Sequence, residues 1–181
     1  MELNKRLNLA VGKKPENGYI NSDIIKYDNI DICFDMNKYP YPFKDNQFEE
    51  IKIINSIHCI EDLGKFMGEI YRIAKPNCIF KIKVQYFLST ESANDYQTKS
   101  FYNFNTFSDS DFEGRFKIIR REWIFSENKY LKIFNFLPNI SPRFYGRLLY
   151  FYFPSNKLYF ELKILKNSKK IINSSESDSK N

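Results

Sequence analysis

A succession of short β-rich runs is the feature that most constrains how this chain can fold. Each run ends in a polar or glycine-containing turn, as the buried strands of a parallel sheet do. The first four runs lie at residues 7–11, 19–23, 30–35 and 51–56. Their spacing predicts a sheet whose strands are joined by crossover connections.

One segment, residues 61–74, has the pattern of an amphipathic helix. Its apolar side chains recur at spacings of three and four, with charged side chains between them. The apolar positions are Leu63, Phe66, Met67, Ile70 and Ile73. A turn at residues 75–77 is expected to end the helix, and residues 78–84 follow as a fifth predicted strand. The strands and the helix together predict a βαβ unit with a right-handed crossover.

Two connections depart from this regular pattern. Residues 12–18, between the first two strands, are too few for a full crossover helix, so we expect a crossover of about one turn. Residues 85–110 are polar and aromatic without a periodic pattern. A long segment of this kind in a compact domain is usually a functional loop or lid. We therefore expect part of the function to depend on it.

The C-terminal part of the chain predicts two further strands and an aromatic segment. Residues 115–125 have strand-like content, and residues 143–153 are aromatic-rich and predict a helix. Residues 158–165 alternate apolar and polar side chains, which is typical of a last antiparallel strand. Residues 167–181 are polar and charged with nothing to bury, so we expect a disordered tail. The chain thus predicts one domain, residues 1–166, followed by a tail.

The composition excludes several classes of protein. With 181 residues, of which 43% are hydrophobic and 18% aromatic, the chain can bury a core, which excludes disorder over most of its length. No apolar run approaches the roughly 20 residues that span a bilayer, and no signal peptide is visible, so we expect a cytoplasmic protein without a membrane span. The three widely spaced cysteines and the single histidine suggest neither a disulfide framework nor a metal site.

The net charge of +6 leaves two interpretations open. A basic protein can bind nucleic acid when its lysines gather on one face. The same charge arises when lysine is abundant throughout a chain and stays solvated. We favour the second interpretation, because no basic cluster is visible in the sequence.

The first two predicted strands end in a pattern typical of a nucleotide-type cofactor site. Gly12 follows the first strand, where a glycine lets the backbone approach a ligand closely. Asp23 ends the second strand, and its carboxylate can accept hydrogen bonds from both hydroxyls of a ribose. The pattern by itself is common, and a carboxylate at this position could instead serve only the turn before Ile24.

Five segments, in order along the chain, resemble the class I S-adenosylmethionine-dependent methyltransferases, in particular small methyltransferase-domain proteins of the type 11 kind. Leu7-Asn8-Leu9-Ala10-Val11-Gly12 is similar to a first strand ending Leu-Asn-Leu-Gly-Cys-Gly. The other segments are Gly18-Tyr19-Ile20-Asn21-Ser22-Asp23, Phe34-Asp35-Met36-Asn37 with Pro42-Phe43-Lys44-Asp45-Asn46-Gln47-Phe48, Ser56-Ile57-His58-Cys59-Ile60-Glu61, and Tyr71-Arg72-Ile73-Ala74-Lys75-Pro76. By motif the resemblance covers residues 7–107.

The resemblance implies a Rossmann-like α/β fold, with a mostly parallel seven-stranded sheet, flanking helices and an antiparallel last strand. It implies S-adenosylmethionine as the cofactor and methyl transfer to an unidentified acceptor, which could be a small molecule, a sugar, a lipid or a protein. The cofactor-binding residues carried over from the family are Ala10, Val11 and Gly12 for the methionine part, Asp23 for the ribose, Asp35 and Met36 for the adenine, and Asn55. The segment from Asn55 to His58 is expected to border the acceptor pocket. Such a protein mainly aligns donor and acceptor and excludes water.

Some residues depart from the family pattern. Ala10 stands where the family usually has glycine, so its methyl group can crowd the cofactor or require an unfavourable dihedral angle. His58, the sole histidine, is the catalytic candidate as a general base; alternatively it only satisfies a backbone group. Residues 95–101 lack a proline and a histidine that the family has there. A second hypothesis therefore stays open, a catalytically inactive methyltransferase fold that serves as a binding or scaffold module.

Overall fold

A seven-stranded mixed sheet forms the centre of the protein, in a computed structural model that describes residues 5–107, 112, 114–152 and 154–166. The strands are β1 (Arg6–Leu9), β2 (Ile20–Asp23), β3 (Ile32–Cys33), β4 (Phe48–Ile54), β5 (Ala74–Gln85), β6 (Phe116–Ile124) and β7 (Lys157–Ile164). Their order in the sheet is β3-β2-β1-β4-β5-β7-β6. β1 to β5 pair in parallel, and β7 is antiparallel to both of its neighbours. This confirms the predicted fold class; the predicted tail lies outside the described residues.

The longest helix of the described residues is the one that the sequence predicts. The α-helices are α1 (Leu63–Ile73), α2 (Thr90–Asn94), α3 (Leu137–Ile140) and α4 (Pro142–Phe144), and there are short 3-10 helices at Ile57–Cys59 and Lys132–Phe136 and a π-helix at Tyr145–Leu149. α1 begins where the Asp62 side chain accepts a hydrogen bond from the backbone N–H of Lys65, at 2.9 Å. Its apolar stripe is buried and includes Phe66, whose ring lies 6.1 Å from that of Phe80 on β5.

Two of the predicted elements have other bounds in the structure. Residues 75–77, predicted as a turn, belong to β5, which begins at Ala74 directly after α1. The helix predicted over residues 143–153 is confirmed over residues 143–149, which lie in α4 and in the π-helix that follows it. These elements continue a series of short helical segments that begins at Lys132. Pro138 and Pro142 lie in the first turns of α3 and α4, where a proline is tolerated because the N–H that it lacks has no partner within the helix.

Residues 10–19 connect β1 to β2 through turns, without a helix. The buried side chain of Asn21 holds this connection by hydrogen bonds to its backbone. Asn21 accepts from the N–H of Glu16 at 2.9 Å, and it donates to the carbonyls of Glu16 at 3.0 Å and Tyr19 at 3.2 Å. The abbreviated crossover therefore depends on a polar side chain of the sheet.

The two faces of the sheet differ in chemistry. One face is apolar and buried, and it packs against α1 and against the aromatic residues of the 86–107 segment, for example Phe160 of β7 against Phe107 at 5.2 Å. The strand register places polar side chains side by side on the opposite face, such as Lys52, Lys81 and Glu161. We call these the apolar face and the polar face.

Ion pairs link neighbouring elements across the polar face. Lys81 pairs with Glu50 at 2.7 Å, and Lys52 pairs with Glu16 of the β1–β2 connection. Lys83 and Lys157 both pair with Glu127. Four lysines of this face are therefore matched by glutamates, which does not favour the nucleic-acid interpretation of the net charge.

Candidate functional site

A cavity of about 480 Å³ lies at the carboxyl ends of β1, β2, β3 and β4. This is the edge of an open parallel sheet where ligands bind, and the volume is within the range of small-molecule sites. Five of the residues carried over from the family line it: Ala10, Gly12, Asp23, Asp35 and Met36. Val11, Asn55 and His58 are not among its lining residues.

The Asp23 carboxylate is held in place by backbone donors. Gly12 donates its N–H to Oδ2 at 2.8 Å, and Ile25 donates its N–H to Oδ1 at 3.0 Å. Gly12 has a φ of +59°, a left-handed conformation that glycine adopts without strain. Each carboxylate oxygen keeps a further lone pair, so the buried Asp23 can still accept hydrogen bonds from a ligand.

Ala10 adopts the unfavourable dihedral angle that its position predicts. Its φ is +50°, in the left-handed region, which costs a residue with a Cβ roughly 1–2 kcal/mol. The Ser56 hydroxyl donates to the Ala10 carbonyl at 3.3 Å, joining the ends of β1 and β4. The cavity beside Ala10 remains open, so the extra methyl group does not close it.

Asn37 joins the loops that follow β3 and β4 on the far side of the cavity. Its amide nitrogen donates to the Cys59 carbonyl at 3.1 Å, and its amide oxygen accepts from the N–H of Glu61 at 3.0 Å. Asp35 accepts from the backbone N–H of Asn37 at 2.9 Å, which forms a tight turn. Met36 packs against the hydrophobic core and offers an apolar surface next to this carboxylate.

His58 is a buried link between the end of β4 and the segment that contributes to the cavity wall. Its side chain is 6% exposed, and Nε2 lies 2.9 Å from Oδ2 of Asp95. The His58 carbonyl accepts from the backbone N–H groups of Lys99 at 2.8 Å and Ser100 at 3.1 Å. Nδ1 is buried and has no hydrogen-bond partner among the described residues.

Val11 and Asn55 support the strand ends behind the cavity. The N–H of Val11 donates to the Ser22 carbonyl at 3.1 Å, which continues the pairing of β1 with β2. Asn55 follows β4 with a φ of +57°, and its N–H donates to the Lys83 carbonyl at 2.8 Å. Asparagine tolerates this left-handed conformation better than most residues, so Asn55 suits the turn that ends β4.

The segment predicted as a lid forms one wall of the cavity through Tyr96, Gln97 and Lys99. The cavity lining contains three carboxylates, those of Asp23, Asp35 and Glu61, and one lysine, Lys99. Burial, and after it the nearby Asp95 carboxylate, raises the pKa of the Cys59 thiol at the cavity wall. The thiol is therefore neutral at pH 7, and the local charge favours a cationic ligand.

The prediction from sequence included Ser56 in the segment beside the acceptor pocket but missed Cys59 and Glu61 as cavity residues. They follow β4 directly, and the carboxyl end of a central strand was the signal that could have indicated them. The partnership of His58 with Asp95 joins residues 37 positions apart and has no local signal in the sequence.

Comparisons with known proteins agree with this geometry. Residues 7–82 match the family described as "Methyltransferase domain". An S-adenosylmethionine-dependent methyltransferase of Mesorhizobium loti is similar in structure with a TM-score of 0.59 at 12% identity, covering 88% of this chain and 90% of that one. The YcgJ protein of Bacillus subtilis gives 0.59 at 13% identity, covering 90% and 92%. A comparison with curated proteins found no match for this chain.

A third similar structure is phosphoethanolamine N-methyltransferase 2 of Haemonchus contortus in complex with S-adenosyl-L-methionine. Its TM-score is 0.58 at 18% identity, covering 92% of this chain and 50% of that one. The present chain thus spans half the length of that protein. Within the described residues, none of the helices has the length and apolar character needed to cross a membrane.

Proposed function

We propose that this chain, of which residues 7–82 match the methyltransferase-domain family, is a class I S-adenosylmethionine-dependent methyltransferase. We further propose that it binds S-adenosylmethionine in the cavity at the carboxyl ends of β1 to β4. The observation that carries this proposal is the Asp23 carboxylate, which Gly12 and Ile25 orient at the cavity wall. A carboxylate held in this way can accept both ribose hydroxyls in charge-assisted hydrogen bonds. Methyl transfer to an acceptor in the cytoplasm is the function that we infer from this binding.

The residues present fit this cofactor in shape and in charge. Asp35 and Met36 lie side by side on the lining, and a planar adenine needs such a polar edge beside an apolar surface. The carboxylates of Asp23, Asp35 and Glu61 suit a ligand with a sulfonium and an ammonium group. Ala10 leaves room for the ligand, which supports a binding-competent site over an occluded one.

The cofactor supplies an activated methyl group, so the chain's own residues have to align the two reactants and exclude water. The segment with Tyr96, Gln97 and Lys99 stands over the cavity and can cover a bound ligand. His58 holds this segment through Asp95 and through its own carbonyl. We infer that His58 is a positioning residue for the lid, a role favoured by these contacts over that of general base.

Calorimetric titration with S-adenosylmethionine and S-adenosylhomocysteine tests the binding proposal. We expect both ligands to bind the wild-type chain. Asp23→Ala should weaken binding roughly 10- to 100-fold, because it removes hydrogen bonds to a charged acceptor. Asp28→Asn is the matched control, since Asp28 is an exposed carboxylate that is not part of the cavity lining, and it should bind as the wild type does.

The outcomes separate the possible functions. No heat and no thermal shift at millimolar ligand would overturn the binding proposal. Unchanged affinity of Asp23→Ala would overturn the assignment of that residue. A cell extract incubated with methyl-labelled cofactor and the protein should yield a labelled acceptor. Binding without any labelled product would instead identify the catalytically inactive module.

A further inference from the structure

The segment that follows β6 exposes an unusual amount of apolar surface. Of the twenty large hydrophobic side chains exposed on the described residues, twelve lie between Tyr130 and Tyr152. Among them Ile133 is 71% exposed, Phe151 75% and Tyr152 79%. Exposed apolar patches of this density on a folded domain mark surfaces that contact another apolar phase or partner. We call residues 128–152 the apolar cap.

Two asparagine side chains and a tyrosine ring hold the apolar cap against the sheet. Asn139 accepts from the backbone N–H of Trp123 at 2.8 Å and donates to its carbonyl at 2.7 Å, which satisfies the edge strand β6. Asn135 makes the same pair of contacts with the backbone of Ser126, at 2.8 and 3.0 Å. Tyr145 packs its ring against Trp123 at 5.2 Å. The cap is therefore fixed to the domain from within, and its exposed apolar side chains lie on its outer side.

The outer side also has a groove of about 570 Å³ with an almost entirely apolar lining. Leu137, Ile140 and Phe144 contribute to the groove and are themselves exposed. A single shallow groove of this kind would suit either a hydrophobic chain or the side chain of a protein partner. The charge of the cap distinguishes between a hydrophobic chain and a protein side chain as the occupant of the groove.

Residues 128–156 contain four cationic and no acidic side chains. The cations are Lys129, Lys132, Arg143 and Arg147. All four are exposed, and none of them forms an ion pair with a described residue. The lysines of the polar face described above are instead matched by glutamates. The cap thus combines uncompensated positive charge with exposed aromatic and aliphatic side chains.

We propose that the apolar cap docks on the surface of an anionic lipid membrane. Interfacial segments bind in this way, with aromatic and aliphatic side chains in the headgroup boundary and lysines or arginines on anionic headgroups. Each such cation adds to the electrostatic attraction between a segment and an anionic leaflet. β5 and β6 run in the same direction, because both are antiparallel to β7. The cap comes after the end of β6 and therefore lies at the carboxyl edge of the sheet, where the cofactor cavity also lies.

Vesicle flotation with the full chain tests the proposal. We expect the protein to bind vesicles of phosphatidylcholine mixed equally with phosphatidylglycerol, to bind pure phosphatidylcholine much less, and to dissociate at high salt. The double variants Ile133→Asn/Phe151→Asn and Arg143→Gln/Arg147→Gln should each weaken binding roughly tenfold or more. The matched controls are Ile119→Asn and Lys117→Gln, two exposed positions on β6 outside the cap, which should bind as the wild type does.

Absence of vesicle binding, or binding that neither double variant weakens, would overturn the proposal. If light scattering then shows a dimer that Ile133→Asn/Phe151→Asn abolishes, the occupant of the cap is a second copy of the chain and the membrane is excluded. The proposal does not depend on methyl transfer. Titration of the same variants with S-adenosylmethionine should give wild-type affinity, which distinguishes failure at the cap from failure at the cavity.

Discussion

On β5, Phe80, Ile82 and Val84 are buried on the apolar face, whereas Lys81 and Lys83 lie between them on the polar face and pair with glutamates. The same alternation runs across the neighbouring strands. Burial of apolar area is the main stabilising contribution to folding, while exposed ion pairs contribute little. The comparison suggests that the apolar face determines the stability of the domain and that the polar face serves another purpose.

That purpose is visible where the polar face meets the β1–β2 connection. Asn21 and Asp23 are two residues apart on β2, so both point to the polar face. Asn21 holds the backbone of residues 16–19, and Asp23 holds Gly12 at the start of the same connection. Without a crossover helix, this connection depends on polar groups of the sheet. The polar face therefore holds the connection that places Gly12 at the wall of the cavity.

The largest expected effect is loss of stability on the apolar face. Phe80→Ala should lower the free energy of unfolding by roughly 3–5 kcal/mol, because it leaves a cavity next to Phe66 in a fully buried site. Lys81→Ala, at the next position on the same strand, should cost at most about 1 kcal/mol. Urea denaturation measures both. Equal losses for the two variants would contradict the division of roles between the faces.

At Asn21 we expect a smaller loss of stability than at Phe80, together with a larger effect on ligand binding. Asn21→Ala leaves the backbone groups of Glu16 and Tyr19 without their partner and should cost roughly 1–3 kcal/mol. It should also weaken S-adenosylmethionine binding, because the released connection carries Gly12. Asn17→Ala, an exposed position in the same connection, is the control for both measurements. Wild-type ligand affinity in a destabilised Asn21→Ala would show that the cavity does not depend on this connection.

The sequence predicts the parts of this architecture that have a local signal. The period of α1 follows from neighbouring residues, and Gly12 and Asp23 follow from their positions after two strands. The polar face was not predicted, because short β-rich runs were interpreted as buried strands of a parallel sheet. Its signal was present in the alternation of Lys81-Ile82-Lys83-Val84.

Other parts could not have been predicted from a single sequence. The hydrogen bonds of Asn21 to Glu16 depend on a connection without periodicity, and the pair of His58 with Asp95 spans 37 positions. Within the apolar cap the sequence predicts a helix over residues 143–153, but its pattern does not indicate which side chains of the cap stay exposed. The cap consists of short helical segments, and much of its apolar surface lies outside the core.

The smallest expected effect is at Glu127, where the contribution of the polar face to stability can be measured as a function of pH. Partial burial raises the pKa of Glu127, but hydrogen bonds from Lys157 and Lys83 outweigh it and lower the pKa from its ordinary 4.5 to about 2. A carboxyl group with a lowered pKa in the folded state stabilises the protein above its unfolded pKa. That contribution is lost as the pH falls from about 4.5 towards 2.

Glu127→Gln should therefore lower the free energy of unfolding by at most about 1 kcal/mol at pH 7, because the side chain is nearly half exposed and its ion pairs are screened. The difference between variant and wild type should shrink as the pH falls below 4.5 in a series of denaturant titrations. Asp28→Asn, which removes an exposed carboxylate outside these ion pairs, is the control for the loss of one surface charge. A Glu127→Gln loss as large as that of Phe80→Ala would show that the polar face, too, holds the fold together.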